Sequence, residues 1–392
     1  MNAHNRPARI PSAILERVGY FLPRLLFANA RIAPQLHWGD ITRALDGFDA
    51  DLVDPASAAF WDEWRKRFSA IGESYEMLAA SSASTAGKGE ALRSASAAYH
   101  FAEFMFFEKA GIKVELRQSV RRCFTQAMGH SKTAYESRTE RAGGCEVKTF
   151  RFFPHTPNPK TGFPCVILCN GLDSMTEIEI LSIGEYFLNR GIAILLFEGP
   201  GQGLDLGIRP LRIDMEAVVA DLLSALERDS RVDANRLGFF GVSFGGYFAL
   251  RVAQALPKRF RGIVNLSGGP EITQFAGLPR RLKQDFAFAL GCEDPLDIQA
   301  RFDTMRLKMA GDTQGPDILS IHGKLDDIFP LCALQTHAEA AFGRHELRVH
   351  ETEAHVCMNH LHPNLIGASD WMLERLVHSA PAIQPKQERA LS

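Results

Sequence analysis

Arg236-Leu237-Gly238-Phe239-Phe240-Gly241-Val242-Ser243-Phe244-Gly245-Gly246 is the stretch on which the reading of this chain turns. Its first half is a short apolar run of the kind that forms a buried strand, and over 244–256 the pattern becomes helical. A serine at that junction sits on a sharp strand-to-helix turn. The backbone there passes so close to itself that the positions two before and two after the serine have no room for a side chain. Gly241 and Gly245 meet that demand. The expected result is a nucleophile elbow, with the Ser243 hydroxyl raised at the start of a helix.

Outward from this segment the texture is strand alternating with helix. Strands are expected over 145–153, 164–169, 192–197, 237–240, 262–266, 318–321 and 347–350. Helical stretches at 176–190, 213–229, 244–256, 330–342 and 364–378 lie between or after them. Short apolar strands separated by helices imply an α/β fold, a mostly parallel sheet covered on both faces. Residues 141–380 are therefore read as the catalytic domain. Residues 270–316 carry no strand pattern and read as a cap-like insertion over the carboxyl ends of the strands. Before residue 140 no strand pattern stands out. Helical runs at 12–30, 56–80, 89–110 and 114–139 suggest an N-terminal helical domain that serves as a lid or dimerisation surface. Residues 381–392 read as a loose tail.

The chain has 392 residues, 46% hydrophobic and 23% charged, which is globular composition with ample material for a core. A net charge of -2 offers no electrostatic reason to bind nucleic acid or an anionic membrane. Seven cysteines without CxxC spacing argue against a disulfide framework or a zinc site, so reduced thiols and a cytoplasmic setting are expected. Residues 19–30 have the apolar, small-residue look of an export signal, but Arg24 interrupts the run and Glu16-Arg17 precede it. An amphipathic helix is expected there instead. No run approaches the length of a membrane span.

A serine hydroxyl becomes a competent nucleophile when a histidine accepts its proton and a carboxylate orients that histidine. In a sheet of this kind they follow in the order serine, acid, histidine. The strand at 318–321 runs into His322-Gly-Lys-Leu-Asp326-Asp327-Ile-Phe-Pro330. Asp326 suits the acid position by spacing, and Asp327 is the other candidate. After the last strand, Glu351-Thr-Glu-Ala-His355-Val-Cys-Met-Asn359-His360 puts His355 where the base belongs, with His360 as its rival.

The oxyanion formed on attack needs two backbone donors. The Phe244 N–H, next to the nucleophile, is one candidate. Leu172 N–H is the second, with Gly171 behind it, in the Asn170-Gly171-Leu172-Asp173 loop after an apolar strand. Asp173 could face a substrate or simply cap a turn. The glycine-rich Glu198-Gly-Pro-Gly-Gln202-Gly203 lacks the lysine and hydroxyl residue of a phosphate-binding loop and reads as a tight turn bordering the pocket. His355, His360 and His362 lie close together without metal-ligand spacing, so no metal site is expected.

These residues resemble the branch of the α/β-hydrolase superfamily that includes the pseudooxynicotine carbon–carbon bond hydrolases and the polyketide-shortening hydrolases of pigment pathways. The resemblance rests on Asn170-Gly-Leu-Asp173, Phe197-Glu-Gly-Pro-Gly-Gln-Gly203, Gly241-Val-Ser-Phe-Gly-Gly246, His355-Val-Cys357 and the Ala98-Tyr-His-Phe-Ala-Glu-Phe104 helix. It implies a Ser–Asp–His triad of Ser243, Asp326 and His355, a small-molecule substrate, no cofactor, and often a homodimer. It also implies an acidic pocket residue soon after the strand that follows the elbow, a place where Glu271 stands; capping a helix is the other reading of Glu271. The expected activity is cleavage of a carbon–carbon or acyl bond in an aromatic or polyketide-like molecule. Ester or thioester hydrolysis and acyl transfer use the same residues, and a non-catalytic binding protein on this fold is the reading from another class.

Overall fold

A computed structural model describes residues 7–25, 31–308, 315–341 and 344–378. The tail expected at 381–392 lies outside these residues, as do positions 26–30 of the apolar run near the N-terminus.

Eight strands form one sheet: β1 (Tyr135–Ala142), β2 (Cys145–Phe152), β3 (Phe163–Cys169), β4 (Ala193–Glu198), β5 (Val232–Val242), β6 (Gly262–Leu266), β7 (Asp317–Gly323) and β8 (His345–His350). Their order is β1-β2-β4-β3-β5-β6-β7-β8. β1 and β2 pair antiparallel, β2 joins β4 antiparallel, and every later pairing is parallel. β3, β4 and β6 are buried at every position, as strands covered on both faces must be.

The helices that cover the sheet pack as two apolar layers. On one face α7 (Met215–Glu227) and α8 (Phe244–Ala255) share a core with α9 (Arg280–Leu290) and α10 (Pro295–Met305). On the other, α6 (Leu181–Leu188) and α12 (Leu361–Leu373) pack against residues such as Val166, Phe240 and Leu319. α11 (Leu331–Ala341) connects β7 to β8. The chain has the α/β-hydrolase architecture.

Ahead of the sheet come α1 (Ser12–Val18), α2 (Trp38–Leu45), α3 (Ala58–Ser81), α4 (Thr85–Glu103) and α5 (Ala110–Gly129). They build a third core in which Phe60, Trp61, Trp64 and Phe68 interlock at 4.7–5.8 Å between ring centroids. This layer is tied to the sheet by charge as well as by apolar contact. Glu103, Lys113 and Arg117 are fully buried. Glu103 accepts from both Lys113 and Arg117, and Arg117 Nη1 goes on to donate to the Gly203 carbonyl at 2.7 Å. Arg117 Nη2 donates to the Asp173 carbonyl. A buried triad of this kind is costly unless every charge is matched; here its outward hydrogen bonds hold two loops of the hydrolase sheet.

Two boundaries differ from expectation. The helix read over 114–139 ends at Gly129, and the first strand, β1, starts at Tyr135. β1 is an edge strand of sequence YESRTERA whose outer positions face solvent, so it lacks the apolar alternation that marks a strand. Near the N-terminus α1 stops at Val18, and Gly19–Leu25, with Pro23 inside it, continues as a 3-10 helix.

Candidate active site

β5 delivers Ser243 to the start of α8 with φ 57° and ψ -121°, a conformation that non-glycine residues rarely adopt. The two glycines are explained by contact. A Cβ on Gly241 would stand 1.9 Å from the Gly245 carbonyl oxygen, and one on Gly245 would stand 2.4 Å from the Cys169 oxygen. The turn closes because neither side chain exists.

His355 Nε2 lies 2.8 Å from Ser243 Oγ, and His355 Nδ1 lies 2.8 Å from Asp326 Oδ2. The other Asp326 oxygen accepts from the Ile328 and Phe329 amides at 2.9 and 3.0 Å. Burial pushes the Asp326 carboxyl up, but the charge and hydrogen bond of His355, aided by His322 and the Phe329 amide, outweigh it and hold the group below its ordinary value. Asp326, not Asp327, therefore faces the imidazole. Asp327 lines the cavity nearby, and burial raises its carboxyl.

The loop that carries His355 is strained and clamped. Val356 and Cys357 both have positive φ, 67° and 50°. Glu353, buried beneath them, accepts from the Asn359 backbone and side chain at 3.1 and 3.0 Å. The Tyr20 hydroxyl, from the N-terminal 3-10 helix, accepts from the Ala354 amide at 3.1 Å and the Met358 amide at 3.4 Å, and donates to Glu353 at 3.3 Å. Burial, with the Glu353 charge, pushes the Tyr20 phenol up to about 12. His360 stands apart from the serine, 3.3 Å from Glu353 and stacked on His350, while His362 bonds Tyr186.

The loop after β3 passes close to the serine. A Cβ on Gly171 would meet Ser243 Cβ at 3.3 Å, and Leu172 lines the cavity. Gln202, wholly buried in the glycine-rich turn after β4, donates through Nε2 to the Asn170 and Gly171 carbonyls at 2.9 and 3.0 Å. The turn thus braces the loop that holds Gly171 and Leu172. Glu198 pairs with Arg121 at 2.6 Å and is not part of the cavity wall.

The cavity above Ser243 has a volume of about 390 Å³, the size for a small aromatic molecule. Its walls come from three regions: Tyr20, Phe21 and Trp61 from the N-terminal layer, Leu282 and Phe286 from α9, and Phe329 and Met358 from the sheet loops. The wall is mostly apolar, with one polar corner. There Arg24 Nη2 contacts Asp173 Oδ1 at 3.2 Å and Glu179 Oε2 at 3.1 Å, with Glu179 also accepting from Arg24 Nε. Asp285 completes the corner.

Glu271, expected in the pocket, is not there. It is half-buried and pairs with Arg306 at 2.9 Å, outside the cavity wall. The chain leaves β6 through Gly268-Gly269-Pro270, and the Thr273 amide bonds the Ile328 carbonyl at 2.8 Å, which carries residue 271 past the opening. The acids that line the cavity are Asp173, Glu179, Asp285 and Asp327. Tyr20, Gln202, Arg117 and Asp285 were not singled out from sequence, because a lone tyrosine, glutamine, arginine or aspartate inside a helix or turn carries no spacing signal.

Comparison with known proteins gives a consistent kinship. The family model described as Esterase FrsA-like matches residues 60–284, and that of the Prolyl oligopeptidase family matches residues 214–368. The 2,6-dihydropseudooxynicotine hydrolase of Paenarthrobacter nicotinovorans is 27% identical over 366 residues, 87% of this chain and 92% of that protein. Esterase FrsA of Enterobacter sp. (strain 638) is 30% identical over 208 residues, 48% of this chain and 49% of its own length. The crystal structure of 2,6-dihydroxy-pseudo-oxynicotine hydrolase shares the fold, with a TM-score of 0.73 at 20% identity over 93% of this chain and 98% of that one.

Proposed function

The chain belongs to the FrsA-like esterase family of α/β-hydrolases, and from that premise we propose that it is a serine hydrolase cleaving a carbon–carbon or acyl bond next to a carbonyl in a small aromatic or polyketide-like molecule. The observation that carries this reading is the unbroken relay from Ser243 through His355 to Asp326, two contacts of 2.8 Å opening into an apolar cavity.

Ser243 Oγ attacks the carbonyl carbon as its proton passes to His355 Nε2, and Asp326 holds the imidazolium through Nδ1–H. The oxyanion is received by the Phe244 N–H at the start of α8 and by Leu172 N–H or Gly171 N–H in the loop braced by Gln202. The bond to the leaving group then breaks; its electron pair goes to the leaving atom, which takes the proton from His355. If that atom is carbon, the charge must be shared with a neighbouring carbonyl, as in a β-diketone. A water that gives its proton to His355 attacks the acyl-enzyme, and Ser243 regains its proton as the acid departs. The likeness to 2,6-dihydropseudooxynicotine hydrolase along 87% of the chain favours the carbon–carbon bond over a plain ester.

Residues 1–140 and 270–316 act in this reading as a two-sided lid, because Tyr20, Phe21 and Trp61 from the first and Leu282 and Phe286 from the second wall the cavity. Closing it excludes bulk water that would quench a carbanion-like leaving group. The test is turnover of an aryl β-diketone and a matched aryl ester by the purified protein, with Ser243→Ala as control. Serine-dependent cleavage of the diketone is the expected result, and serine-independent or absent turnover of both would overturn the assignment.

A further inference from the structure

The cavity contains a group that the triad chemistry leaves unused. Asp285, on α9, is 3% exposed, and among the described residues it makes no hydrogen bond or ion pair. Its Oδ1 is sealed from solvent without a partner, yet the residue forms part of the cavity wall that also holds Ser243 and His355. Nearby carboxylates are matched differently. Asp173 and Glu179 both contact Arg24, and Glu103 is held by Lys113 and Arg117. Arg24, Lys113 and Arg117, the cations that act on Asp285, each already face another carboxylate, and Asp285 is left over.

A buried polar group without a partner is destabilising, and an unpaired buried charge more so. Oδ1 is closed to any ligand, so the oxygen that this wall residue leaves for a substrate atom is Oδ2. Resting on the hydrolase reading above, we propose that Asp285 is the specificity residue for a second substrate oxygen, its carboxyl group donating a hydrogen bond to a carbonyl or enol oxygen separate from the carbonyl that Ser243 attacks.

The local electrostatics agree. Burial raises the Asp285 carboxyl well above its ordinary value. The neighbouring Asp173 charge adds to the effect, and Lys113, Arg117 and Arg24 oppose it without prevailing. A carboxyl shifted towards its protonated form can donate, whereas the paired carboxylates around it can only accept. The position suits the chemistry of a 1,3-dicarbonyl substrate. When the carbon–carbon bond beside the attacked carbonyl breaks, the electron pair moves into the second carbonyl, whose oxygen becomes an enolate. A hydrogen bond donated to that oxygen strengthens as its charge grows, so it lowers the barrier more than it tightens ground-state binding. An ester, whose leaving oxygen carries its own charge, gains nothing comparable. Asp285 would thus bias the shared first half-reaction towards carbon–carbon cleavage.

The experiment compares Asp285→Leu and Asp285→Asn with the parent protein on an aryl β-diketone and a matched aryl ester. The leucine fills the same apolar wall without a donor, and the asparagine keeps one in its amide. The expected result is a fall of about 100-fold in the diketone-to-ester ratio of kcat/KM for the leucine variant, with most of the ratio restored by asparagine. A ratio that stays within about threefold of the parent in the leucine variant overturns the inference. Calorimetric binding on a Ser243→Ala background separates this failure from failure of the hydrolase reading, because it needs no turnover. There the diketone should lose about tenfold in affinity against its monoketone counterpart when Asp285→Leu is added. An unchanged binding preference overturns the Asp285 subsite even if the enzyme proves to be a hydrolase. A lost preference in a protein without turnover supports the subsite and removes the hydrolase assignment alone.

Discussion

The Tyr20 hydroxyl accepts a hydrogen bond from the Ala354 amide at 3.1 Å, so a residue near the start of the chain holds the loop that presents the histidine. The same oxygen accepts from Met358 and donates to Glu353, bracketing His355 on both sides. The two positive-φ residues after His355 make this loop one that needs external support. The N-terminal layer and the loop that carries His355 are therefore mechanically joined.

Replacing Tyr20 with phenylalanine removes the support while keeping the ring. The expected loss is about 10- to 100-fold in kcat with little change in KM, because misplacing a general base by a fraction of an ångström slows chemistry more than binding. Steady-state kinetics on an aryl ester, beside a melting curve showing the fold intact, checks this. Equal loss in kcat and gain in KM would indicate a wall residue rather than a positioning one.

Gln202→Ala removes the two bonds that brace the Asn170–Gly171 backbone. Two buried carbonyls lose their partner, so stability should fall by about 1–3 kcal/mol. If Leu172 or Gly171 receives the oxyanion, kcat should fall about 10-fold or more as the donor drifts. Chemical denaturation and single-turnover acylation read the two effects separately; an unaltered acylation rate would move the oxyanion site elsewhere.

Arg117→Met tests the bond between the helical layer and the sheet. It leaves Glu103 buried with Lys113 as its remaining full cation and frees the Asp173 and Gly203 carbonyls. A destabilisation of about 3–5 kcal/mol is expected, measured by denaturant midpoint. The double variant Glu103→Gln/Arg117→Met should recover none of it, since it also takes the carboxylate away from buried Lys113.

The pH dependence of stability runs in opposite directions for two buried acids. Burial raises Glu103, but Arg117, Lys113 and His100 outweigh it and bring its folded-state pKa below the ordinary value. Its contribution is therefore full above the ordinary carboxylate range and is lost as the pH falls below it. Asp285 is raised by burial and by Asp173, against Lys113, Arg117 and Arg24, so it holds its proton longer in the folded state. Its cost is absent at acid pH and grows as the pH rises from the ordinary aspartate value towards the raised one. Asp285→Asn should match the parent in melting temperature near pH 4 and exceed it increasingly towards neutrality. A constant difference across that range would contradict a raised carboxyl.

What was legible in the sequence were features with fixed local geometry. Gly241 and Gly245 announce a backbone crossing that any side chain would block, Asp326 follows a strand whose apolar run is plain, and His355 falls in place by order after it. The structure brings those two and Ser243 together. What was not legible depends on contacts across hundreds of residues. Tyr20 meets Ala354, and Arg24, which looked like an interruption of an apolar run, is the cation that pairs Asp173 and Glu179 in the cavity corner. β1 escaped notice because an edge strand facing water has no apolar face to show. Glu271 was misplaced because sequence distance from β6 says nothing about which way the Gly268-Gly269-Pro270 turn carries the chain.

The most direct test of the central claim is intact-mass analysis after incubation with an aryl fluorophosphonate at neutral pH. One adduct per chain, mapped to Ser243, lost in His355→Ala and kept in His360→Ala, is the result expected from the relay of 2.8 Å contacts. Labelling that survives in His355→Ala, or that maps to another residue, would contradict the account.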